Sequence, residues 1–409
     1  MTGFAMEQHF TKGLPDPTPR WAGFPKHNFI GGHNDPTLIP IEGLIEATAA
    51  VLRREGPKLA MYSLGQGPQG FIGLREFVAR KASDRRGIAC TADDILITTG
   101  SGQGIDIVNR LLLSSGDTVL LEEFSYGGAI NKLKKLGVKI VGMPLDEDGI
   151  RVDALGTILA DLKAKRVTPK YIYTIPSIQN PTGSILPLDR RQALVKLSAE
   201  YGVPIFEDEC YTDLLWAGVE APPAIYSLAP SQVIHIGSFS KSLAPALRVG
   251  YAVAQWPVLS QMIACKTDSG TGALDQMIVA EYFTHQFEAH VKVLSIGLNE
   301  KLQTMQDALE REFGSAIETW RPRGGIFLWM KLPDTVDVRS LVKPAAEAGI
   351  VFNPGPEWAC DGERAKSHLR LCFALPSKEQ IREGVAVFAR VCWEQTGVPA
   401  QSANIRHQA

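Results

Sequence analysis

From about residue 92 the chain alternates short apolar, β-rich runs with segments of helical period, and this alternation limits its fold more than any other feature. "DILITT" leads into "GQGIDIVNRLLL", "DTVLLEE" into "GGAINKLKKLG", and "PKYIYTIP" into "PLDRRQALVKLSAEYG"; "VPIFEDE" and "VIHIGS" follow. Successive strands joined through helices lie parallel and are covered on both faces. The pattern therefore predicts an α/β fold, a mostly parallel sheet sandwiched by helices. In such sheets ligands gather at the carboxyl ends of the strands.

The 409 residues exceed what one core usually holds, so a smaller α+β domain is expected beside the sheet. Residues 275 to 312 carry no proline and read as one or two long helices leaving the large domain. Beyond them, "IFLWMKL" and "HLRLCFA" read as strands, and "DVRSLVKPAAEAG" and "SKEQIREGVAVFARV" as helices. The division expected is residues 57–295 for the large domain, with 1–56 and 296–409 forming an N-terminal segment and the small domain. A net charge of -2 argues against nucleic acid or an anionic membrane as the main partner. With no signal-peptide pattern and no apolar run of spanning length, a cytoplasmic enzyme is expected. The six cysteines lack CxxC spacing and signal neither zinc nor a disulfide framework, and Cys210 reads as a small filler residue.

Four strand ends carry polar groups. In "TTGSGQGIDIV", Ser101, Gly102 and Gln103 open a helix, whose free amides and positive end suit an anion. "SIQNPTG" places Asn180 at a turn, and "VPIFEDECYTDLL" delivers Asp208 to a strand end with Tyr211 three residues on. "GSFSKSLAPALRVGY" sets Lys241 and Arg248 among Ser238 and Ser240. Each signal alone is weak: glycines reverse chains, asparagines shape turns, and lone carboxylates cap helices.

Together they suit pyridoxal 5′-phosphate. Its phosphate needs amides, hydroxyls and a cation, available from Ser101, Gly102, Gln103, Ser238, Ser240 and Arg248. Its aldehyde needs a lysine, and a nearby arginine and partial burial both favour the free amine of Lys241. The ring nitrogen needs a carboxylate, matching Asp208, and the ring oxygen needs donors, matching Asn180 and Tyr211.

Nine landmarks in order carry a resemblance: "YSLGQGPQGFIGLREFVA", "ITTGSGQGIDIV", "EEFSYGGA", "QNPTG", "EDECYTDL", "GSFSKSLAPALRVGY", "RPRGGIFLWMKLP", "VFNPGPEW" and "HLRLCFA". From about residue 28 to 395 the chain resembles the class I/II aminotransferases, the fold-type I pyridoxal-phosphate enzymes, and is closest to the 2-aminoadipate and kynurenine aminotransferase branch. The resemblance implies that Lys241 forms the Schiff base and moves the proton, with Asp208 on the ring nitrogen and Tyr211 and Asn180 on the ring hydroxyl. It further implies Tyr126 stacked on the ring, Tyr62 reaching the phosphate of a neighbouring subunit in a homodimer with shared sites, and Arg370 holding the substrate carboxylate, with Gly32 and Asn180 beside it. The implied reaction is ping-pong transfer of an amino group from an L-amino acid to a 2-oxo acid.

Several positions depart from that branch. His33 and Asn34 stand where an apolar residue and proline are usual, Arg20 is out of register with the arginine of members that accept acidic side chains, and Trp358 stands where phenylalanine is common. The same cofactor parts also serve lyases, decarboxylases and oxidases, and a regulator-like domain is the non-enzyme reading. A dinucleotide site is disfavoured because Ile105 or Ile107 occupies the third glycine position, and no GxxxxGK[ST] loop occurs.

Overall fold

In the computed structural model, which describes residues 4–11, 14, 17–18, 20–21 and 23–399, the alternation becomes a seven-stranded sheet. Its strands are β1 (Ile95–Thr98), β2 (Thr118–Glu122), β3 (Lys139–Met143), β4 (Ile172–Thr174), β5 (Ile205–Asp208), β6 (Val233–Ser238) and β7 (Gly250–Val253), in the spatial order β1-β7-β6-β5-β4-β2-β3. β7 runs antiparallel to both neighbours, and the other pairs are parallel. Strand alternation divides the apolar residues between two faces. Ile95, Ile97, Leu120 and Ile205 enter one core, while Leu96, Val119, Leu121 and Phe206 enter the other.

Two helices precede the sheet along the chain, α1 (Ile41–Glu55) and α2 (Ile72–Arg86). The next, α3 (Gly100–Leu112), starts directly after β1, so its free amides lie at the carboxyl edge of the sheet. The long proline-free stretch forms one helix, α4 (Ala273–Phe313), whose 41 residues span about 60 Å. Its buried face passes from the large core at Val291 to the small-domain core at Leu294. Ala47 and Val51 of α1, placed with the small domain by the sequence division, pack into the large-domain core.

The small domain is an antiparallel sheet in the order β8 (Glu318–Thr319), β9 (Phe327–Lys331), β11 (His368–Cys372), β10 (Asn353–Pro354). Register sets Arg370 between Trp329 and Asn353. The N-terminal segment joins this domain: His27–Asn28 pairs in parallel with Ile350–Val351, and Cys372 N donates to Phe29 O at 2.8 Å. That pairing carries Gly31 and Gly32 over the carboxyl edge of the large sheet. No helix among the described residues is long and apolar enough to cross a membrane.

Candidate active site

A cavity of about 290 Å³ lies where the two domains and the N-terminal segment meet, near the lower end of the size range for small-molecule sites. Ser101, Gly102, Tyr126, Asn180, Asp208, Tyr211, Ser238, Ser240, Lys241, Arg248, Arg370 and Gly32 all line it. Two residues from the sequence reading do not. The side chain of Gln103 turns away, donating to Asp268 at 2.6 Å and accepting from Thr99 N at 2.8 Å, so only its main chain remains for an anion. Tyr62 is 87% exposed at the surface of the chain.

At one end the α3 amides, Ser238, Ser240 and Arg248 form an anion cradle. Arg248 reaches Ser240 Oγ at 3.5 Å, Pro245 O at 3.2 Å and Thr99 O at 3.4 Å, from a left-handed backbone with φ 54°. Gly100 must be glycine: its φ is +71°, and a Cβ would run into the Arg248 guanidinium.

Lys241 follows β6, and its Nζ donates to Gly32 O at 2.6 Å. Burial holds its ammonium below the usual lysine range, with Arg370 and Arg248 adding in the same direction. A Cβ on Gly32 would collide with that amine, so the glycine is what lets the N-terminal segment approach.

Asp208 ends β5, buried, and accepts from Tyr173 Oη at 2.7 Å. Burial pushes its carboxyl pKa up, while the Tyr173 bond and nearby His235 act the other way. A cationic ring nitrogen beside it would favour the carboxylate. Asn180 donates to Tyr211 Oη at 3.1 Å and accepts from Arg370 Nη1 at 2.9 Å, linking Tyr211 to Arg370. Its loop is anchored from behind: Gln179 donates to buried Glu122 at 2.9 Å and accepts from Thr182.

Arg370 lies 3.6 Å over the Trp358 ring and donates through Nη2 to Gly31 O and Asn353 Oδ1, both at 2.8 Å. Its buried Nε has no partner among the described residues. The guanidinium lines the cavity, where a fork of this kind can take a carboxylate. Trp358 is brought there by Ser125 N donating to its carbonyl, and its ring lies 6.0 Å from that of Tyr126.

Sequence reasoning missed Tyr173, Gly31, Ile175 and Asn353, and it read Cys210 as filler although Cys210 lines the cavity. Tyr173, Gly31 and Asn353 carry no local signal, because each reaches the site through pairing with a distant segment, whereas Ile175 and Cys210 lie just past strand ends. Glu207, Glu209 and His235 bring ligand atoms within 4.8 Å of one another, but each is committed elsewhere. Glu209 takes Arg86 and Ser177, and Glu207 takes Ile225 N, Tyr226 N and His235.

Comparison with known proteins decides the family: the model for aminotransferase class I and II matches residues 32–388. The chain belongs to the class I and II aminotransferases. It is 37% identical over 369 residues to the 2-aminoadipate transaminase of Thermus thermophilus, covering 89% of each chain. The solved α-aminoadipate aminotransferase of the same species, complexed with N-(5′-phosphopyridoxyl)-L-leucine, superposes with a TM-score of 0.83 at 35% identity, covering 91% of this chain and 93% of that one. Pyrococcus horikoshii kynurenine aminotransferase superposes with a TM-score of 0.87 at 28% identity, covering 96% and 98%. The fold is that of the fold-type I aminotransferases, and the protein is a pyridoxal-phosphate-dependent aminotransferase.

The residues present fit the cofactor. A cradle of hydroxyls, helix amides and a cation lies at one end of the cavity, with the buried Asp208 carboxyl and the Lys241 amino group on its walls. Ser101, Gly102, the Gln103 main chain, Ser238, Ser240 and Arg248 could hold the phosphate, Asp208 the ring nitrogen, and Asn180 and Tyr211 the ring oxygen. When bound, pyridoxal phosphate supplies the electron sink for amino-group transfer.

Proposed function

We propose that this aminotransferase moves the amino group of an L-amino acid to a 2-oxo acid in two half-reactions, using Lys241 as Schiff-base lysine and proton carrier. The carrying observation is that Lys241, Asp208 and Arg370 line one cavity with an anion cradle at its end. Burial lowers the Lys241 pKa and so favours the amine form needed to bind a carbonyl and later to take a proton from a substrate α-carbon. Arg370, stacked on Trp358 and lining the cavity, orients the substrate through its carboxylate. Asp208 favours a protonated ring nitrogen, and Tyr126 flanks the ring.

The amino donor belongs, on this reading, to the 2-aminoadipate and aromatic classes named for the relatives. We further assign a homodimer with shared sites. Ile41, Ile45 and Leu52 share one exposed face of α1, and exposed Leu59, Met61 and Tyr62 continue it. A second subunit would cover that face and receive Tyr62 at its phosphate. The large domain comprises residues 57–295 with the packed face of α1 laid on it, the small domain the remainder, and the working location is the cytoplasm.

The test is borohydride reduction of the cofactor-loaded protein followed by peptide mass analysis, with a panel of amino donors in parallel. Cofactor fixed to Lys241, and stoichiometric release of a 2-oxo acid from particular donors, is the expected result. Fixation at another lysine sinks the assignment of Lys241. Release of carbon dioxide, or of ammonia without amino transfer to a second oxo acid, redirects the reaction to decarboxylase or lyase chemistry.

A further inference from the structure

The turn that carries Lys241 leaves the sheet after Ser238, and its main-chain carbonyls point away from any ladder. Buried carbonyls need donors. Here four consecutive ones, from residues 240 to 243, find them on side chains of distant elements. Asn34 Nδ2 lies 3.1 Å from Ser240 O, 3.4 Å from Lys241 O and 3.1 Å from Leu243 O. His290 Nε2, from α4, takes Ser242 O at 2.8 Å. One asparagine, 206 to 209 residues away in sequence, thus serves two of the four with its two N–H groups and lies within 3.4 Å of a third.

Three converging carbonyl oxygens also fix which way the amide points, since only its nitrogen can donate. Its Oδ1 is buried and without a partner among the described residues, a cost accepted to keep the nitrogen on the turn. Gly32, two residues before Asn34, accepts the Lys241 amine. Asp35, the next residue, pairs with Lys301 of α4 and caps Thr37, and Lys301 also donates to Ala374 O at 2.6 Å. Residues 32–35 therefore touch the lysine amine, the lysine turn and the small domain in succession.

We propose that Asn34 is a positioning residue for Lys241, setting the main chain of the lysine turn from the N-terminal segment. This rests on Lys241 being the lysine that carries the cofactor. Once the amine leaves Gly32 O to engage the cofactor, the Asn34 bonds are what still ties this segment to the turn. His33 and Asn34, a departure from the branch pattern, thereby acquire a physical role at the second position: a side-chain donor replaces a residue that offers none. Other bonds keep the turn folded, including Leu243 N to Phe239 O at 2.9 Å and Phe239 N to Val249 O at 3.0 Å. Losing Asn34 alters the placement of the lysine rather than the existence of the turn.

The test compares Asn34→Leu, which keeps size and removes the donor, with Asn34→Asp, which keeps shape and sets oxygen against three carbonyls. Hydrogen exchange of the cofactor-loaded proteins is followed over residues 236–247 and, as a control, over the helix at 152–164. Exchange should rise about tenfold or more in the turn and stay unchanged in the control. In the same preparations kcat should fall about 10- to 100-fold while KM for the amino donor changes less than about threefold, since misplacement of a reacting group costs rate. Equal acceleration in turn and control would show that Asn34 only stabilises the fold, and overturns the proposal. So does wild-type exchange and kcat in either variant, and if Asn34→Leu does not fold, Asn34→Asp decides alone. Borohydride fixation at Lys241 in the wild-type protein keeps these outcomes apart from failure of the lysine assignment itself.

Discussion

Tyr173→Phe probes how Asp208 is held. The hydroxyl donates to Asp208 Oδ2 at 2.7 Å, and both residues are buried. The variant keeps the ring and its edge contact with Phe206 at 5.3 Å, so packing is preserved and only the donor is lost. A hydrogen bond to a charged group contributes about 1.5–3 kcal/mol. Burial already pushes the Asp208 pKa up, and Tyr173 opposes that push. Without the donor the neutral acid is favoured further, and a neutral acid cannot pair with a protonated ring nitrogen. Carried fully into binding, the loss weakens cofactor affinity about 10- to 150-fold. Titrating cofactor-free protein with pyridoxal phosphate, with thermal melting as a control on the fold, measures it. Affinity within twofold of wild type, in a protein that melts normally, would refute the reasoning.

Arg370→Lys removes the fork and the Trp358 stack while keeping the charge, and should raise KM for the amino donor about 10- to 100-fold with cofactor affinity nearly unchanged, as steady-state kinetics and cofactor titration would show. Glu122 is buried, with its pKa pushed up to about 7 from 4.5 chiefly by burial. A raised folded pKa contributes stability that is complete below about 4.5 and lost as pH rises through about 7, up to roughly 3 kcal/mol; urea unfolding across that window should slope downward in the wild type and lose most of that slope in Glu122→Gln. Ile45→Glu places a charge on the exposed face of α1 and should dissociate the proposed dimer and lower cofactor affinity together, read by sedimentation and titration; a dimer that survives the change would place the interface elsewhere.

That Asp208, Ser101, Lys241 and Arg248 line one cavity was legible in outline because each stands on a local feature. A strand delivers Asp208 to its carboxyl end, a glycine turn opens α3 at Ser101, and Lys241 and Arg248 share one loop, so periodicity and turn chemistry located them without knowledge of the fold. The same local reading could not separate an amide from its side chain, and Gln103 shows the consequence: its side chain belongs to Asp268, a partner 165 residues away. Tyr173 sits in a strand whose burial pattern explains it as core, and only its β4–β5 adjacency to Asp208 gives it a second role. Gly31 and Asn353 enter through pairing in the small domain. The division at residue 56 missed the packing of α1 for a related reason, since its apolar stripe says that Ala47 and Val51 will be buried but not against which core.

Asn34 extends that logic. Read along the chain it is a polar residue in an irregular segment, where asparagine ordinarily shapes a turn. In three dimensions it answers a requirement created more than two hundred residues later, where a turn that presents Lys241 cannot satisfy its own carbonyls. The requirement is physical and general: a reactive side chain must stand clear of regular structure, so its backbone must find donors elsewhere. Residues that meet such a need are found by tracing every buried carbonyl of the reactive turn to its donor. Here that tracing leads to Asn34 and His290, on the N-terminal segment and the long helix that also hold the small domain in place.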